Sequence, residues 1–117
     1  MSWRDYSTAP APGTPICAAI EVTGVHPVTV STEKGEFPLL MVKDEGGYLA
    51  YVNACPHQYL PLNYRGDQML SADGTMLLCT GHGARFDLRT GRAIKGADCG
   101  LDPVPVSLEN GMLVIGG

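Results

Sequence analysis

Short apolar runs separated by glycine, proline and charged breaks give this chain its rhythm. Residues 16–22, 28–32, 39–43 and 48–53 are rich in Val, Leu, Ile and Tyr and follow one another at intervals of about ten residues, the signature of strands in an antiparallel meander. Glu45-Gly46-Gly47 marks a hairpin turn between the last two. Beyond residue 55 the runs shorten to 76–79 and 84–87. Asp73-Gly74 and Thr90-Gly91 supply turn chemistry around them. Ordinary strands return at 104–108 and 112–115, joined by Glu109-Asn110-Gly111, where Asn-Gly readily takes the positive φ angles of a tight hairpin. Ahead of all these, residues 7–15 carry three prolines and a glycine and suit neither helix interior nor sheet ladder, so residues 1–15 read as an extended N-terminal arm. No stretch places a helix. The expectation is an all-β fold in one domain, 1–117, with an inserted segment of hairpins and loops over 55–102.

A chain of 117 residues with 44% hydrophobic content can bury one modest core and leaves no room for a second catalytic domain. Eight basic against twelve acidic residues, a net charge of −4, argue against sequence-independent binding to nucleic acid or to an anionic membrane. No run reaches the roughly 18 apolar residues of a bilayer span, and Met1-Ser2-Trp3-Arg4-Asp5 lacks a signal-peptide core. The expected setting is therefore a soluble protein of the cytoplasm, neither secreted nor anchored. Four cysteines admit three disulfide pairings, but a reducing compartment and the histidines beside two of them favour metal ligation.

Those two are Cys55, in Cys55-Pro56-His57, and Cys79, in Cys79-Thr80-Gly81-His82, with 21 residues between the boxes. Two soft thiolates and two imidazoles suit zinc, copper or an iron–sulfur cluster, and not calcium or magnesium, which want oxygen ligands. A zinc finger usually divides its ligands as a Cys pair and a His pair, whereas here each box contributes one of each. A binuclear cluster with two unlike irons, one on thiolates and one on imidazoles, uses such a mixed division. A zinc site on the same ligands remains the alternative.

The residues around the boxes sharpen the comparison. His82-Gly83-Ala84-Arg85-Phe86-Asp87 followed by Thr90-Gly91 resembles the second cluster-binding loop of Rieske [2Fe–2S] proteins, and Cys55-Pro56-His57 with Leu62 is similar to the first, most narrowly in the ferredoxin-type members. The resemblance is specific over 55–91. It implies an antiparallel β-sandwich or meander with an inserted cluster-binding subdomain, and one [2Fe–2S] cluster per chain. Cys55 and Cys79 would hold the inner iron, and His57 and His82 the outer one near the surface. Gly83 would let backbone approach the cluster, with loop amides donating to its sulfides. The chain departs from the family at Tyr59, where glycine is usual, and at Thr80, where proline is usual. Its interval between the boxes is longer, a difference assigned to the Asp73-Gly74 hairpin. The third, covering loop corresponds to Gly96-Ala97-Asp98-Cys99-Gly100, without the family's proline. Respiratory members have a disulfide where this chain has Leu60 and Gly81, and a serine and tyrosine where it has Ala84 and Phe86. Losing two hydrogen bonds to sulfur predicts a low potential, below about +100 mV in a Rieske range of roughly −150 to +300 mV.

The resemblance implies a one-electron carrier that is not itself an enzyme, taking electrons from a flavoprotein reductase and passing them to an oxygenase or similar metalloenzyme. Two other functions stay open: the small electron-transfer subunit of a permanent oxidoreductase complex, and a zinc-stabilised interaction module. Outside the boxes only His26 remains, too few histidines for the usual two-His facial triad of mononuclear iron, and no Gly-x-Gly-x-x-Gly fingerprint is present. His26 reads as a surface or turn histidine, Cys17 as a buried thiol, Cys99 as an unreactive one, and Met69, Met76 and Met112 as core filler. Residues 55–100 sum to +1 against −5 for the rest, a weak sign that an acidic partner is steered to this segment.

Overall fold

Antiparallel strands and two single-turn 3-10 helices, Trp3–Asp5 and Ala19–Glu21, are the regular elements among the described residues. The computed structural model describes residues 3–44, 47–54, 61–63, 68–80, 83–97 and 99–116. The strands are β1 (Pro15–Ala18), β2 (Val25–Thr32), β3 (Gly35–Asp44), β4 (Gly47–Val52), β5 (Met76–Leu78), β6 (Arg85–Asp87), β7 (Ala93–Lys95), β8 (Val106–Glu109) and β9 (Met112–Ile115). They pair into three sheets of three strands, ordered β1-β9-β8, β2-β3-β4 and β5-β6-β7. The chain divides into two units, one made of Met1–Val52 with Asp102–Gly117 and the other of Asn53–Leu101.

The first unit holds the first two sheets. Its centre is β3, in which Leu39, Leu40, Met41 and Val42 are all buried. Successive strand residues face opposite ways, so both faces of β3 are covered, which explains an unbroken apolar run in place of alternation. Burying each such side chain stabilises the fold by about 1.5–3 kcal/mol before chain entropy is counted. Two prolines inside these strands sit where a ladder tolerates them. Pro27 is on the edge strand β2, opposite Leu40. Pro38 on β3 pairs only toward β2, because β4 begins its register at Leu39. These prolines delayed the predicted starts of β2 and β3, which reach back to Val25 and Gly35.

The run 16–22 is not one strand. It breaks after Ala18 into the turn Ala19–Glu21, where the Glu21 carboxylate accepts the Ala18 N–H at 3.2 Å and Ile20 is 89% exposed. The strand predicted at 104–108 begins at Val106, since the Val104 N–H donates to the Ala50 carbonyl at 2.8 Å. Likewise the Val52 N–H donates to the Asp102 carbonyl at 2.9 Å, so the chain leaves this unit and re-enters it at adjacent points on β4. Asn110 and Gly111, at φ +51° and +82°, make the expected tight hairpin between β8 and β9. The N-terminal residues turn back: the Trp3 and Tyr6 rings lie 6.3 and 5.7 Å from that of Phe37, and the Gly13 N–H donates to the Ile115 carbonyl.

The second unit is built on β5-β6-β7. Leu70 bridges Leu77, the Ser71 N–H donates to the Met76 carbonyl at 2.9 Å, and Gly74 has φ +74°, which makes the predicted Asp73-Gly74 hairpin. At the predicted Thr90-Gly91 turn, Asp87 Oδ1 accepts the N–H groups of Arg89 and Thr90. The strand β7 was absent from the sequence reading, because Ala93-Ile94-Lys95 is too short for a periodic signal. The predicted Glu45-Gly46-Gly47 turn has its first two residues outside the described ones. The pairing of Asp44 with Gly47 brackets them.

Candidate metal centre

Of the four sequence-predicted ligands, Cys79 is described, and Cys55, His57 and His82 lie outside the described residues. Cys79 follows the last residue of β5 and is 1% exposed. Its N–H donates to the Ala84 carbonyl at 2.9 Å, and the Gly83 N–H donates back to the Cys79 carbonyl at 2.9 Å. This pair of bonds closes the loop from 79 to 84 at the head of the β5–β6 hairpin. Gly83 has φ +77°, a conformation that a side chain at this position would strain.

The second box is tied to the segment that follows the first. Both the Thr80 N–H, at 2.8 Å, and the Thr80 hydroxyl, at 2.7 Å, donate to the carbonyl of Leu62. Leu62 is fully buried, and its own N–H donates to Asn53 Oδ1 at 2.7 Å. The amide nitrogen of Asn53 donates in turn to Asn63 Oδ1 at 3.3 Å. Asn53, two residues before Cys55, is itself buried. The Asn53 side chain, before Cys55, and the Leu62 backbone, after it, are thereby linked by hydrogen bonds to Thr80, the residue after Cys79. Sequence reasoning passed over Asn53 as a strand end and took Thr80 only as a departure from a proline. A proline there could not have donated its N–H. The recognisable signal was a lone amide side chain beside a ligand box, since such a group, once buried, must find partners.

Gly96 and Gly100 come close to the backbone around β6, Gly96 at Ala84 before it and Gly100 at Gly91 in the turn after it. At Gly96, φ +79°, an added Cβ would stand 3.1 Å from the Ala84 Cα. At Gly100 it would collide with the Gly91 carbonyl oxygen, which also accepts the Leu101 N–H at 2.8 Å. Ala84 and Phe86 are fully buried, and Cys99 is exposed. A buried thiol at a hydrogen-bonded loop, the glycine-permitted turn after it and a tie to Leu62, in the segment that follows the other Cys/His box, together fit a soft-metal centre with sulfur and nitrogen donors. Among the described residues no three His, Cys, Asp or Glu side chains gather as a further metal site.

The remaining candidates have ordinary settings. His26 lies on edge strand β2 opposite Met41. Cys17 is half-buried rather than fully buried, and desolvation, then the nearby Glu21 carboxylate, push its thiol pKa up. Met69 is core, but Met112 is 38% exposed. Asp73 is an exposed carboxylate pulled down to about 2 by hydrogen bonds from the Ser71 hydroxyl, the Thr75 hydroxyl and the Thr75 N–H. Its role is to hold the hairpin tip. No helix among the described residues is long and apolar enough to cross a membrane.

Comparison with known proteins points to one family. Residues 14–105 match the Rieske [2Fe-2S] domain family. The ferredoxin component of the alkene monooxygenase system of Xanthobacter autotrophicus is 37% identical over 82 residues, which are 70% of this chain and 64% of that protein. The chain thus aligns with less than two thirds of that relative. Among solved structures, a ferredoxin of Sphingomonas yanoikuyae B1 superposes with a TM-score of 0.68 at 31% identity, covering 90% of this chain and 98% of that one. The ferredoxin of carbazole 1,9a-dioxygenase from Nocardioides aromaticivorans IC177 shares the fold, with a TM-score of 0.67 at 18% identity over 91% of this chain and 98% of its own.

Proposed function

The chain belongs to the Rieske [2Fe–2S] domain family, and from that premise we propose that it is a one-electron carrier whose cluster is held by Cys55, His57, Cys79 and His82. The observation that carries the reading is the double hydrogen bond from Thr80 to the Leu62 carbonyl, which joins the surroundings of the two ligand boxes. Cys55 and Cys79 would supply thiolates to one iron, and His57 and His82 imidazoles to the other. When bound, a [2Fe–2S] cluster supplies a one-electron couple. The chain's own residues keep the ligands in place: Asn53 and Thr80 position backbone on either side, Gly83 permits the turn between Cys79 and Ala84, and Gly96 brings a third segment onto Ala84. With Ala84 and Phe86 beside the cluster loop in place of hydroxyl-bearing residues, fewer hydrogen bonds reach sulfur, and the potential is low for the family.

The electron donor is a flavoprotein reductase and the acceptor an oxygenase or similar metalloenzyme. The likeness to a ferredoxin component of a monooxygenase system supports this assignment. Residues 55–102 form the cluster-binding part of a single Rieske domain, 1–117. The protein works in the cytoplasm, whose reducing conditions suit the free thiols of Cys17 and Cys99. The test is the metal and sulfide content of the aerobically purified protein, with its visible and reduced-state paramagnetic resonance spectra. About two irons and two sulfides per chain are expected, with a midpoint below about +100 mV. His57→Ala and His82→Ala each abolish the Rieske spectrum and His26→Ala leaves it intact. A colourless protein holding zinc refutes the assignment.

A further inference from the structure

The hairpin that follows Cys79 carries an unusual exposed corner. Arg85, the first residue of β6, stands directly across from Lys95, the last residue of β7, and both are exposed. Paired residues of an antiparallel ladder put their Cβ atoms about 4.5–5.5 Å apart on one face, so two cations here repel each other and work against the fold. Neither makes an ion pair with a described residue. Between Arg85 and Phe86 the register slips, because Phe86 pairs with Ala93 and leaves Ile94 as an extra residue. That β-bulge turns Ile94 outward, and it is 54% exposed. The corner lies at the end of the hairpin next to the cluster loop. Arg85 adjoins buried Ala84, and Gly96, after Lys95, closes on the Ala84 backbone. In an acidic chain, a repelling cation pair beside a bulged, exposed isoleucine has no explanation in packing.

We propose that Arg85 and Lys95, with Ile94 beside them, form the docking corner for an acidic, apolar-centred surface of the redox partner. This rests on the electron-carrier reading and specifies the partner's chemistry. The two cations draw in carboxylates, while Ile94 gives an uncharged point of contact that fixes orientation. The corner flanks the loop that bears Cys79, so a partner docked on it lies against that loop.

The experiment reads outer-sphere oxidation of the dithionite-reduced holoprotein by stopped flow. Two oxidants of opposite charge, ferricyanide and hexaammineruthenium(III), are used, each taking one electron per cluster. In the variant Arg85→Glu/Lys95→Glu the ferricyanide rate falls by about tenfold at low salt and the hexaammineruthenium rate rises, both differences shrinking as ionic strength increases. Poly-L-glutamate slows the ferricyanide reaction of the parent protein and has little effect on the double variant. Ile20→Ser, at an exposed isoleucine outside the corner, leaves both small-oxidant rates unchanged. Equal rates in parent and double variant, no inhibition by poly-L-glutamate, or an Ile20→Ser effect as large as the charge reversal would overturn the proposal. The visible spectrum and midpoint of each variant separate the two levels. If the parent carries no cluster, the carrier reading fails. If all variants carry it and exchange electrons at the parent's rates, only the docking corner fails.

Discussion

Replacing Asn53 by leucine removes the acceptor of the Leu62 N–H while keeping roughly the same side-chain volume. Leu62 is fully buried and its N–H reaches Asn53 Oδ1 at 2.7 Å, so the variant leaves a donor stranded away from water. A buried donor without a partner costs about 1–3 kcal/mol, and 2 kcal/mol is the working value. For a chain of this size that lowers the melting temperature by about 8 °C and shifts the ratio of folded to unfolded protein about thirty-fold. Asn63→Ala is the matched control, because it removes only the acceptor of the longer 3.3 Å bond from the Asn53 amide at a less buried position. Its expected effect is about 0.5 kcal/mol. Circular dichroism melts at one fixed scan rate read the shift in melting temperature, and the rate of visible bleaching at one fixed temperature reads how fast the cluster is lost, a fixed protocol being needed since cofactor loss makes unfolding irreversible. An Asn53→Leu protein within about 0.5 kcal/mol of the parent, or one no worse than Asn63→Ala, would refute the idea that this amide holds the segment after the first ligand box.

Four further outcomes follow from other positions. Thr80→Val loses the hydroxyl bond to Leu62 and about 1 kcal/mol but keeps the N–H bond, whereas Thr80→Pro loses both, so bleaching is faster in Thr80→Pro. Gly96→Ala strains a φ of +79° and presses on Ala84, and its melt falls by about 1–3 kcal/mol, while Gly13→Ala, also at positive φ but with open space around it, falls by less. The Asp73 pKa of about 2 lies below its unfolded value, so the hairpin 70–77 gains stability from the carboxylate above about pH 4 and loses it as the pH drops toward 2; the Thr75 amide signal in nuclear magnetic resonance tracks that loss, which Asp73→Asn abolishes. In the holoprotein the disulfide reagent DTNB labels exposed Cys99 about tenfold faster than half-buried Cys17, and Cys99→Ser removes the fast phase.

Much of the architecture was legible because its signals are local. Asn110-Gly111 and Asp73-Gly74 dictate turns through backbone conformations that few other residues adopt. The errors share a different character. The run at 16–22 looked continuous, but the turn at Ala19–Glu21 depends on the Glu21 carboxylate capping the Ala18 N–H. The strands β2 and β3 ran past their prolines because Pro27 lies on an edge and Pro38 lies beyond the reach of β4, and neither position can be known before the sheet is assembled. Met112 looked like core and lies at the surface, since the start of β9 faces outward.

At the candidate metal centre the chemistry was written in residue type and spacing. Two boxes, each with one thiol and one imidazole, already select soft metals and exclude hard ones, because ligand preference belongs to the donor atom and not to the fold. What keeps the boxes' surroundings together was not written there. The link runs from Asn53 through Leu62 to Thr80, residues with no pattern in common, and it exists only because burial forces each amide and carbonyl to find a partner. In the same way, only the paired register of β6 and β7 sets Arg85 across from Lys95, ten positions apart in the chain, and turns Ile94 outward. Donor chemistry and turn conformation are properties of single residues and their neighbours, so sequence alone determined them. Hydrogen-bond partners, strand edges and cross-strand charge pairs are relations between distant residues, and only the folded chain brings these into being.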